Sequence, residues 1–428
     1  MQPTDAQLPN NGVRVPSPTH SDARYRSYEV YQRERLGEST ELLGPGQLTA
    51  ARQLTDPYPL LALLRENYPC YRDWSGNAYW LTRYDQVTSI FSDRANFHLP
   101  NRAQSCSLKD AEDLSASVAA HKLWAELIDE QLPNICDTLL SGLGKERPID
   151  LTIDYALALS NELQRRALGI QAQHTDELAQ LLWHIQRADS WQPEVALGAQ
   201  IACSKLLDLL ANSPADKTSP GLREAIPGLG PQSLLATVLG FETRTLHGWI
   251  CNLAHTWLTN TDIQSEIRKG QTNIKIAALE AMRYTPPVPY AHAYAKHEVE
   301  RFGRLLPEGA LMRLSAEAAN RDPRVFDDPD TFYAVRADLC HREARGQFRA
   351  DGLATGIAFG LGLPSKHPAV PEDRPRSLFA LTRDATVTAT QQLLQHFPVI
   401  QPCGELKGPS ALAIYEPMVA WSLPVTLT

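Results

Sequence analysis

The chain has 428 residues, of which 43% are hydrophobic and 21% charged, and its formal net charge is −8. This composition is typical of a globular protein. The acidic balance argues against nucleic acid as a partner, because phosphates are bound by clusters of Lys and Arg. No run of about 20 apolar residues is present and the N-terminus lacks a secretory signal pattern, so we expect a cytoplasmic protein without a membrane span.

The seven cysteines are far apart, and none forms a Cys-x-x-Cys pair. This spacing excludes the usual zinc and iron–sulfur motifs and argues against a disulfide framework, so no metal site is predicted. We expect most of the cysteines to be small buried residues. They are Cys70, Cys106, Cys136, Cys203, Cys251, Cys340 and Cys403.

The chain begins with a polar stretch that is rich in Pro, Asn, Ser and Arg. We predict that residues 1–48 form a flexible extension and that residues 49–428 form a single domain. The ordered part starts with a helix after Pro57, followed by a β-hairpin over 70–82 whose turn contains Ser, Gly and Asn.

Helical periodicity then dominates to about residue 258. Helices are predicted over 119–132, 134–143, 155–168, 175–188 and 194–212. A loop over 213–230, rich in Pro, Gly and Ser, precedes one long apolar helix over 231–260. We expect this long helix to run through the core.

The last third of the chain mixes strands with two further helices. The helices are predicted over 274–283 and 378–396, and the strands over 292–299, 304–306, 311–315 and 411–427. The whole pattern predicts a mainly α fold with a minor β part.

Several landmarks follow one another in the order seen in a known family. Glu280 and Arg283 form a Glu-x-x-Arg pattern on a predicted helix, an Ala-Asn-Arg-Asp-Pro segment follows over 319–323, and Gly-Phe-Glu-Thr lies midway along the long helix at 240–243. This ordered set, over about residues 56–427, resembles the bacterial cytochromes P450. The resemblance implies the cytochrome P450 fold.

The Glu-x-x-Arg pair has an architectural meaning in that family. Glu280 and Arg283 lie three positions apart on one helix face, where they can form a bidentate ion pair. The resemblance implies a third member, an Arg just before Phe332. Thr331 stands there, so we expect the triad to be incomplete.

The cysteine loop of the family is altered. In P450s a Cys thiolate ligates the haem iron from a Phe-Gly-x-Gly-x-His-x-Cys-x-Gly loop. This chain has Phe-Gly-Leu-Gly over 359–362, and the same spacing places Lys366 at the cysteine position. An ammonium group with a pKa of about 10.4 must lose a proton before it can ligate iron. His367 and Cys340 are the alternative ligands that the sequence leaves open.

The residues that meet the two haem carboxylates in the family are also replaced. The family has a His-x-x-x-Arg pair on an early helix. Here the corresponding segment, 110–114, is acidic, and the later His121 is not followed by the matching Arg. Ala293 stands where an Arg is expected after the Glu-x-x-Arg helix, with His292 or Lys296 as substitutes. An unpaired carboxylate in a closed pocket is costly, so we expect no haem and no other cofactor.

Glu242 and Thr243 survive from the acid–alcohol pair that relays protons in oxygen-activating members. A carboxyl group in an apolar helix crossing has a raised pKa and can act as an acid or base. Alternatively, Glu242 pairs with Arg244 while Thr243 caps a helix distortion. His247 and His255 on the same helix are expected to be structural.

Three functions follow from the resemblance. The chain looks like the cysteine-less P450-like auxiliary proteins that bind and activate glycosyltransferases in natural-product biosynthesis. It is alternatively a haem-independent hydratase, cyclase or isomerase that uses Glu242 and Thr243 on a lipophilic small molecule. The third alternative is an atypical P450 monooxygenase.

Overall fold

The computed structural model describes most of the chain beyond residue 46. The described residues are 47–68, 70–73, 76–100, 106, 108, 114–144, 147–188, 192–239, 241, 243–270, 272–339, 347–348, 354–355 and 376–428. The extension predicted over 1–48 therefore lies almost entirely outside them. They form two compact units. The first contains the described residues up to Pro100 and Pro289–Pro329, and the second contains those of Asn101–Val288 and Asp330–Thr428. The single domain predicted over 49–428 stays a prediction.

Helices make up most of the described structure. In chain order they are α1 (Tyr58–Asn67), α2 (Tyr84–Ser92), α3 (Leu114–Glu126), α4 (Leu132–Gly142), α5 (Ala158–Leu168), α6 (Thr175–Ile185), α7 (Pro193–Asn212), α8 (Leu222–Ala225), α9 (Pro231–Leu239), α10 (Thr243–Thr259), α11 (Thr261–Arg268), α12 (Ile274–Tyr284), α13 (Ala316–Ala319) and α14 (Leu378–His396). Wider π-helical turns, Leu127–Gln131 and Leu151–Leu157, lead into α4 and α5. In the part of the chain that the structure describes, no helix combines the length and apolar character needed to cross a bilayer.

The strands are short. They are β1 (Cys70–Asp73), β2 (Ala78–Leu81), β3 (Phe97–His98), β4 (Ile149–Asp150), β5 (Tyr290–Ala295), β6 (Val299–Arg301), β7 (Arg304–Leu306), β8 (Leu311–Ser315), β9 (Gln347–Phe348), β10 (Ala354–Thr355), β11 (Ile400–Pro402), β12 (Ser410–Ala411), β13 (Met418–Val419) and β14 (Pro424–Leu427). The mainly α fold with a minor β part is thus confirmed.

The first unit is built on a sheet with the strand order β1-β2-β8-β5-β3. The predicted hairpin is present: β1 and β2 pair antiparallel, with Cys70 opposite Leu81. Asn77 in its turn has a φ of +47°, a conformation that Asn tolerates better than most residues. Arg72 donates a 2.6 Å hydrogen bond to the Asn77 side chain and so fixes the turn. β2 pairs parallel with β8, which brings the distant strands into one sheet.

The second unit is organised around α10, which packs against α5, α12 and α14. Trp249 on α10 is fully buried, and its indole Nε1–H donates a 2.6 Å hydrogen bond to the carbonyl oxygen of Ala278 on α12. Its ring lies 5.4 Å from that of Phe379 on α14. An indole buried with its N–H satisfied adds large apolar area without a desolvation penalty. The core position predicted for this helix is therefore correct.

The single helix predicted over 231–260 is divided into α9 and α10. The amide of Phe241 donates to Val238 O, and the amide of Thr243 donates to Phe241 O. These shorter-range bonds replace the regular i→i−4 ladder at the junction. The apolar periodicity continues on both sides, which is why the sequence pattern alone did not show the interruption.

The Glu280 ion pair is complete, which corrects the prediction of a missing third member. Glu280 Oε2 accepts from Arg283 Nε at 2.7 Å, and its Oε1 accepts from Arg336 Nε at 2.9 Å. The amide of Tyr333 donates a further 3.0 Å bond to Oε1. Thr331 contributes only its carbonyl oxygen, which accepts from both arginines. The third member of the triad is Arg336, five positions beyond the expected one.

We expect Arg336→Met to lower the free energy of unfolding by about 3 kcal/mol, because a fully buried carboxylate loses one of its two cations. Urea denaturation monitored by circular dichroism measures the change. Thr331→Val is the matched control and should stay within about 0.5 kcal/mol of the parent, since only its main chain participates. Equal effects of the two substitutions would contradict the assignment of Arg336.

Candidate functional site

Thr243 is the first residue of α10, directly after the interruption. Its side chain is buried, and Oγ1 accepts a 2.7 Å hydrogen bond from Nε2 of Gln164 on α5, itself buried. The structure thus places Thr243 at a helix distortion. Glu242 lies outside the described residues, so its pairing with Arg244 and the acid–base function of the Glu242–Thr243 pair stay predictions.

An aromatic stack covers the other side of this junction. The rings of Trp124 on α3 and Phe241 lie 4.1 Å apart, with their planes inclined by 18°. Both side chains are almost fully buried. The stack fills space next to the α9–α10 junction with two large apolar groups, a contact that the sequence pattern did not predict.

His247 is buried on α10, four residues beyond Thr243. Burial lowers the pKa of its imidazole to about 4, although a hydrogen bond with the Thr152 main chain acts in the opposite direction. Its ring lies 5.8 Å from that of Trp421. Burial also lowers the pKa of His255. His247 is therefore a neutral core residue at pH 7, as expected.

The positions predicted for an iron ligand, Lys366, His367 and Cys340, lie outside the described residues. The sequence still restricts the choice of a cysteine ligand, whatever the alignment of the loop. No cysteine occurs between Cys340 and Cys403, although α14 starts at Leu378 within that interval. Among the described residues, no three His, Cys, Asp or Glu side chains come together in a way that could hold a metal ion.

The early helix, α3, offers no guanidinium group for a haem carboxylate, since the sequence has no Arg between Arg102 and Arg147. His121 on α3 lies 2.5 Å from the carbonyl oxygen of Arg376. Arg376 itself is paired with two carboxylates of the protein, Asp129 at 2.5 Å and Asp384 at 2.8 Å. The acidic segment 110–114 is not described, apart from Leu114 as the start of α3.

In the first unit, Ala293 occupies the position of the expected Arg. It lies on β5 opposite Met312 on β8 and is fully buried. Lys296, a suggested substitute, is exposed and donates from Nζ to the carbonyl oxygen of Arg94 at 2.6 Å. His292 is half-buried, opposite Arg313 in the β5–β8 ladder. Ala293 therefore offers no donor to a haem carboxylate and Lys296 is engaged by a main-chain oxygen, whereas His292 keeps a buried imidazole Nε2 at this position.

Known proteins resemble the chain over much of its length, although no protein-family model matches it. Cytochrome P450 107B1 of Saccharopolyspora erythraea is 29% identical over 283 residues, which are 63% of this chain and 62% of that protein. Vitamin D(3) 25-hydroxylase of Pseudonocardia autotrophica is 24% identical over 79% of this chain and 92% of its own length. Putative cytochrome P450 YjiB of Bacillus subtilis is 24% identical over 72% and 83%, respectively.

Solved structures give the same result. The P450 enzyme CYP109B1 from Bacillus subtilis superposes with a TM-score of 0.66, at 18% identity, covering 87% of this chain and all of that one. P450BioI, solved in complex with a ligated acyl carrier protein, superposes with a TM-score of 0.65, at 17% identity over 88% of this chain and all of that one. The chain is therefore similar to cytochromes P450 in sequence and in fold. The predicted P450 fold is confirmed.

The chain also has a buried acid that the sequence patterns did not single out. Glu317 on α13 is 1% exposed. Tyr290 donates its hydroxyl to Glu317 Oε1, while Oε2 has no hydrogen-bond partner in the described structure. Burial raises the pKa of this carboxyl to about 8, against the opposing effects of Tyr290 and Arg321. The one sequence feature that could have indicated this buried acid is its position among alanines, in Ala316–Ala319.

We expect stability to fall as pH rises from about 4.5 to 8, because native Glu317 keeps a proton that the unfolded chain loses. The free energy of unfolding changes by at most about 1.4 kcal/mol per pH unit from this group. Glu317→Gln should remove this dependence. Urea denaturation at pH 5, 6.5 and 8 tests it, with the exposed Glu300→Gln as the control. Parallel pH profiles for the parent and Glu317→Gln would contradict it.

If Thr243 is structural, its contribution to the free energy of unfolding should depend on the hydrogen bond from Gln164. Thr243→Val leaves the buried amide of Gln164 without its acceptor and should cost about 1–2 kcal/mol. Adding Gln164→Leu removes the amide as well, so the double variant should recover part of that loss. A double-mutant cycle in urea measures the interaction energy. Strictly additive losses would show that the hydrogen bond contributes no coupling.

Proposed function

We propose that this protein works without a haem–thiolate centre, as a cytoplasmic accessory protein that binds and activates a partner enzyme of natural-product biosynthesis, such as a glycosyltransferase. The observation that carries the proposal is the lack of any cysteine between Cys340 and Cys403, with Lys366 at the ligand position. Without a thiolate, the chain lacks the group that directs O–O cleavage in P450 chemistry.

The carboxylate contacts support the same proposal. Arg376 is already neutralised by Asp129 and Asp384, and a haem carboxylate would have to compete with both. In the first unit, buried Ala293 offers only a methyl group. Burying a carboxylate without a cation or hydrogen-bond donor costs several kcal/mol, so these replacements disfavour the cofactor.

An accessory function fits what the chain retains. The Glu280 ion cluster and the buried α10 core keep the architecture intact, while the haem contacts are replaced. The P450BioI complex is an instance in which a protein of this fold docks a protein partner. Thr243 is held by Gln164, which favours an architectural function of that residue over the haem-independent hydratase, cyclase or isomerase.

We expect protein purified from cells supplied with a haem precursor to show no Soret absorption and no carbon monoxide difference spectrum. A cysteine-containing P450 purified in parallel is the positive control. Lys366→Cys restores a cysteine at the ligand position, and so tests the contacts to the haem carboxylates separately from the iron ligand. This variant should also lack haem, because α3 still provides no guanidinium group and Ala293 no cation. Stoichiometric porphyrin in the parent protein would overturn the haem-free proposal.

The partner function needs a second assay, with a glycosyltransferase of natural-product biosynthesis as the probe. Co-expressed, the two proteins should co-purify, and transferase activity should require the complex. Glu242→Gln should stimulate the transferase as well as the parent does, because no acid–base step depends on it. A transferase that is equally active alone would contradict the accessory function. Turnover of a lipophilic substrate that Glu242→Gln abolishes would instead identify a haem-independent enzyme.

A further inference from the structure

The outward face of α7 carries two large apolar side chains. Leu197 is 57% exposed and Ile201 is 51% exposed. They are four positions apart, so they lie one above the other on the same side of the helix. Of the large hydrophobic residues that are exposed in the described part of the chain, only these two share a helix. Single exposed apolar residues are common on protein surfaces, whereas contiguous ones point to a contact surface.

This pair faces away from the core of its own chain. A residue turns about 100° around the axis of an α-helix, which places Leu197 and Ile201 opposite the centre of the buried face of α7. A surface helix normally presents polar residues in that direction. Packing within the described part of the chain therefore does not account for the pair. The buried face consists of Ala199, Ala202, Cys203, Leu206 and Leu210.

Two residues of opposite charge flank the apolar pair. Glu194 lies three positions before Leu197, and Lys205 lies four positions after Ile201. Both are exposed, and neither takes part in an ion pair within the described residues. They are 11 positions apart (205 minus 194), about 17 Å along the helix, so they do not reach each other within one copy. Each charge is thus available to a second molecule.

We propose that α7 is the contact surface of a homodimer, in which the α7 helices of two copies pack antiparallel about a two-fold axis at the level of Ala199. Such an axis brings the same surface of both copies into contact. Leu197 and Ile201 lie two positions on either side of Ala199. Leu197 of one copy therefore meets Ile201 of the other, and each apolar side chain is covered by its counterpart.

The same axis brings opposite charges together. Glu194 lies five positions before Ala199 and Lys205 six positions after it, about 7.5 Å and 9 Å along the helix. Eleven positions are three turns and about 20° of an α-helix, so both charges lie along the same edge of the exposed face. Glu194 of each copy therefore lies beside Lys205 of the other. Charge complementarity favours this antiparallel arrangement, because a parallel pair places like charges opposite one another.

The dimer is weak and depends on concentration. Interfaces that bury less than about 1,200 Å² in total are typical of transient contacts, and the apolar centre here has only two side chains from each copy. Exposed ion pairs add little to affinity and are screened by salt. The apolar pair therefore supplies the attraction, while the charges set the orientation.

Sedimentation velocity of the full chain at low salt, from about 5 to 500 μM, measures the association. The mass should rise with concentration from 47.5 kDa toward twice that value. Leu197→Ser should raise the dissociation constant by about tenfold or more. Val118→Ser, which removes an exposed apolar side chain from α3, should leave it unchanged. Circular dichroism should show that both variants are folded, since both positions are exposed.

Charge reversal tests the antiparallel arrangement. Glu194→Lys and Lys205→Glu each place like charges opposite one another at both ends of the contact. Each variant alone should therefore dimerise about tenfold more weakly than the parent, or worse. An equimolar mixture of the two variants should recover the parent affinity, because both ends of the mixed dimer again join opposite charges. A folding defect in either variant does not produce such a recovery.

A chain that keeps a mass of 47.5 kDa over the whole concentration range overturns the proposal. A dimer that none of the α7 substitutions weakens also overturns it, because the contact then lies elsewhere. Failure of the mixed variants to recover affinity excludes the antiparallel arrangement. If the chain is monomeric and Leu197→Ser abolishes its co-purification with a glycosyltransferase, the occupant of this face is the partner enzyme and not a second copy.

Discussion

The buried carboxylate of Glu280 is the constraint on which the second unit depends. A charge without solvent contact is tolerated only when every lone pair is met. Glu280 achieves this with Arg283, with Arg336 and with the Tyr333 amide. Arg336 is balanced in turn by Asp338 at 3.2 Å, so two acids face two bases. The cluster fixes residues 331–338 against α12.

The chain therefore separates the parts that build the fold from those that would hold a cofactor. Its structural charges are intact, whereas the cations near the expected haem contacts are used within the protein. Arg376 illustrates this. Its guanidinium group pairs with Asp384 on α14 and with Asp129 in the π-helical turn after α3, and its carbonyl oxygen contacts His121 on α3. An anion arriving there has to displace an existing ion pair, which a vacant guanidinium would not require.

The sequence predicted most of the helices and the first hairpin because their periodicity is local. It misplaced the third member of the Glu280 triad for a reason that is also local. The resemblance placed the cation directly before Phe332. In the structure, the Arg336 amide donates to the carbonyl oxygen of Tyr333, and this turn brings the Arg336 side chain to Glu280. The interruption between α9 and α10 was missed because apolar residues continue through it.

Other features of the candidate sites depend on contacts between residues distant in sequence. Gln164 and Thr243 are 79 positions apart, and their hydrogen bond is visible only after α5 has packed on α10. Glu317 carries a weak signal, an acid among alanines, yet its proton depends on Tyr290 from another strand. Periodicity reports which face of an element is buried. It does not indicate which polar atom of another element contacts that face.

These contacts also bear on the proposal that the chain folds without haem. A protein that needs a cofactor for stability leaves buried charges unpaired when that cofactor is absent. Here Ala293, one of the replaced positions, lies opposite Met312, and Arg376, whose carbonyl contacts His121, is held by Asp129 and Asp384. Each replacement removes a demand for the cofactor and supplies a contact within the protein. Under the proposed function, loss of the ligand cysteine removes a chemical function but leaves the core intact for a partner to bind.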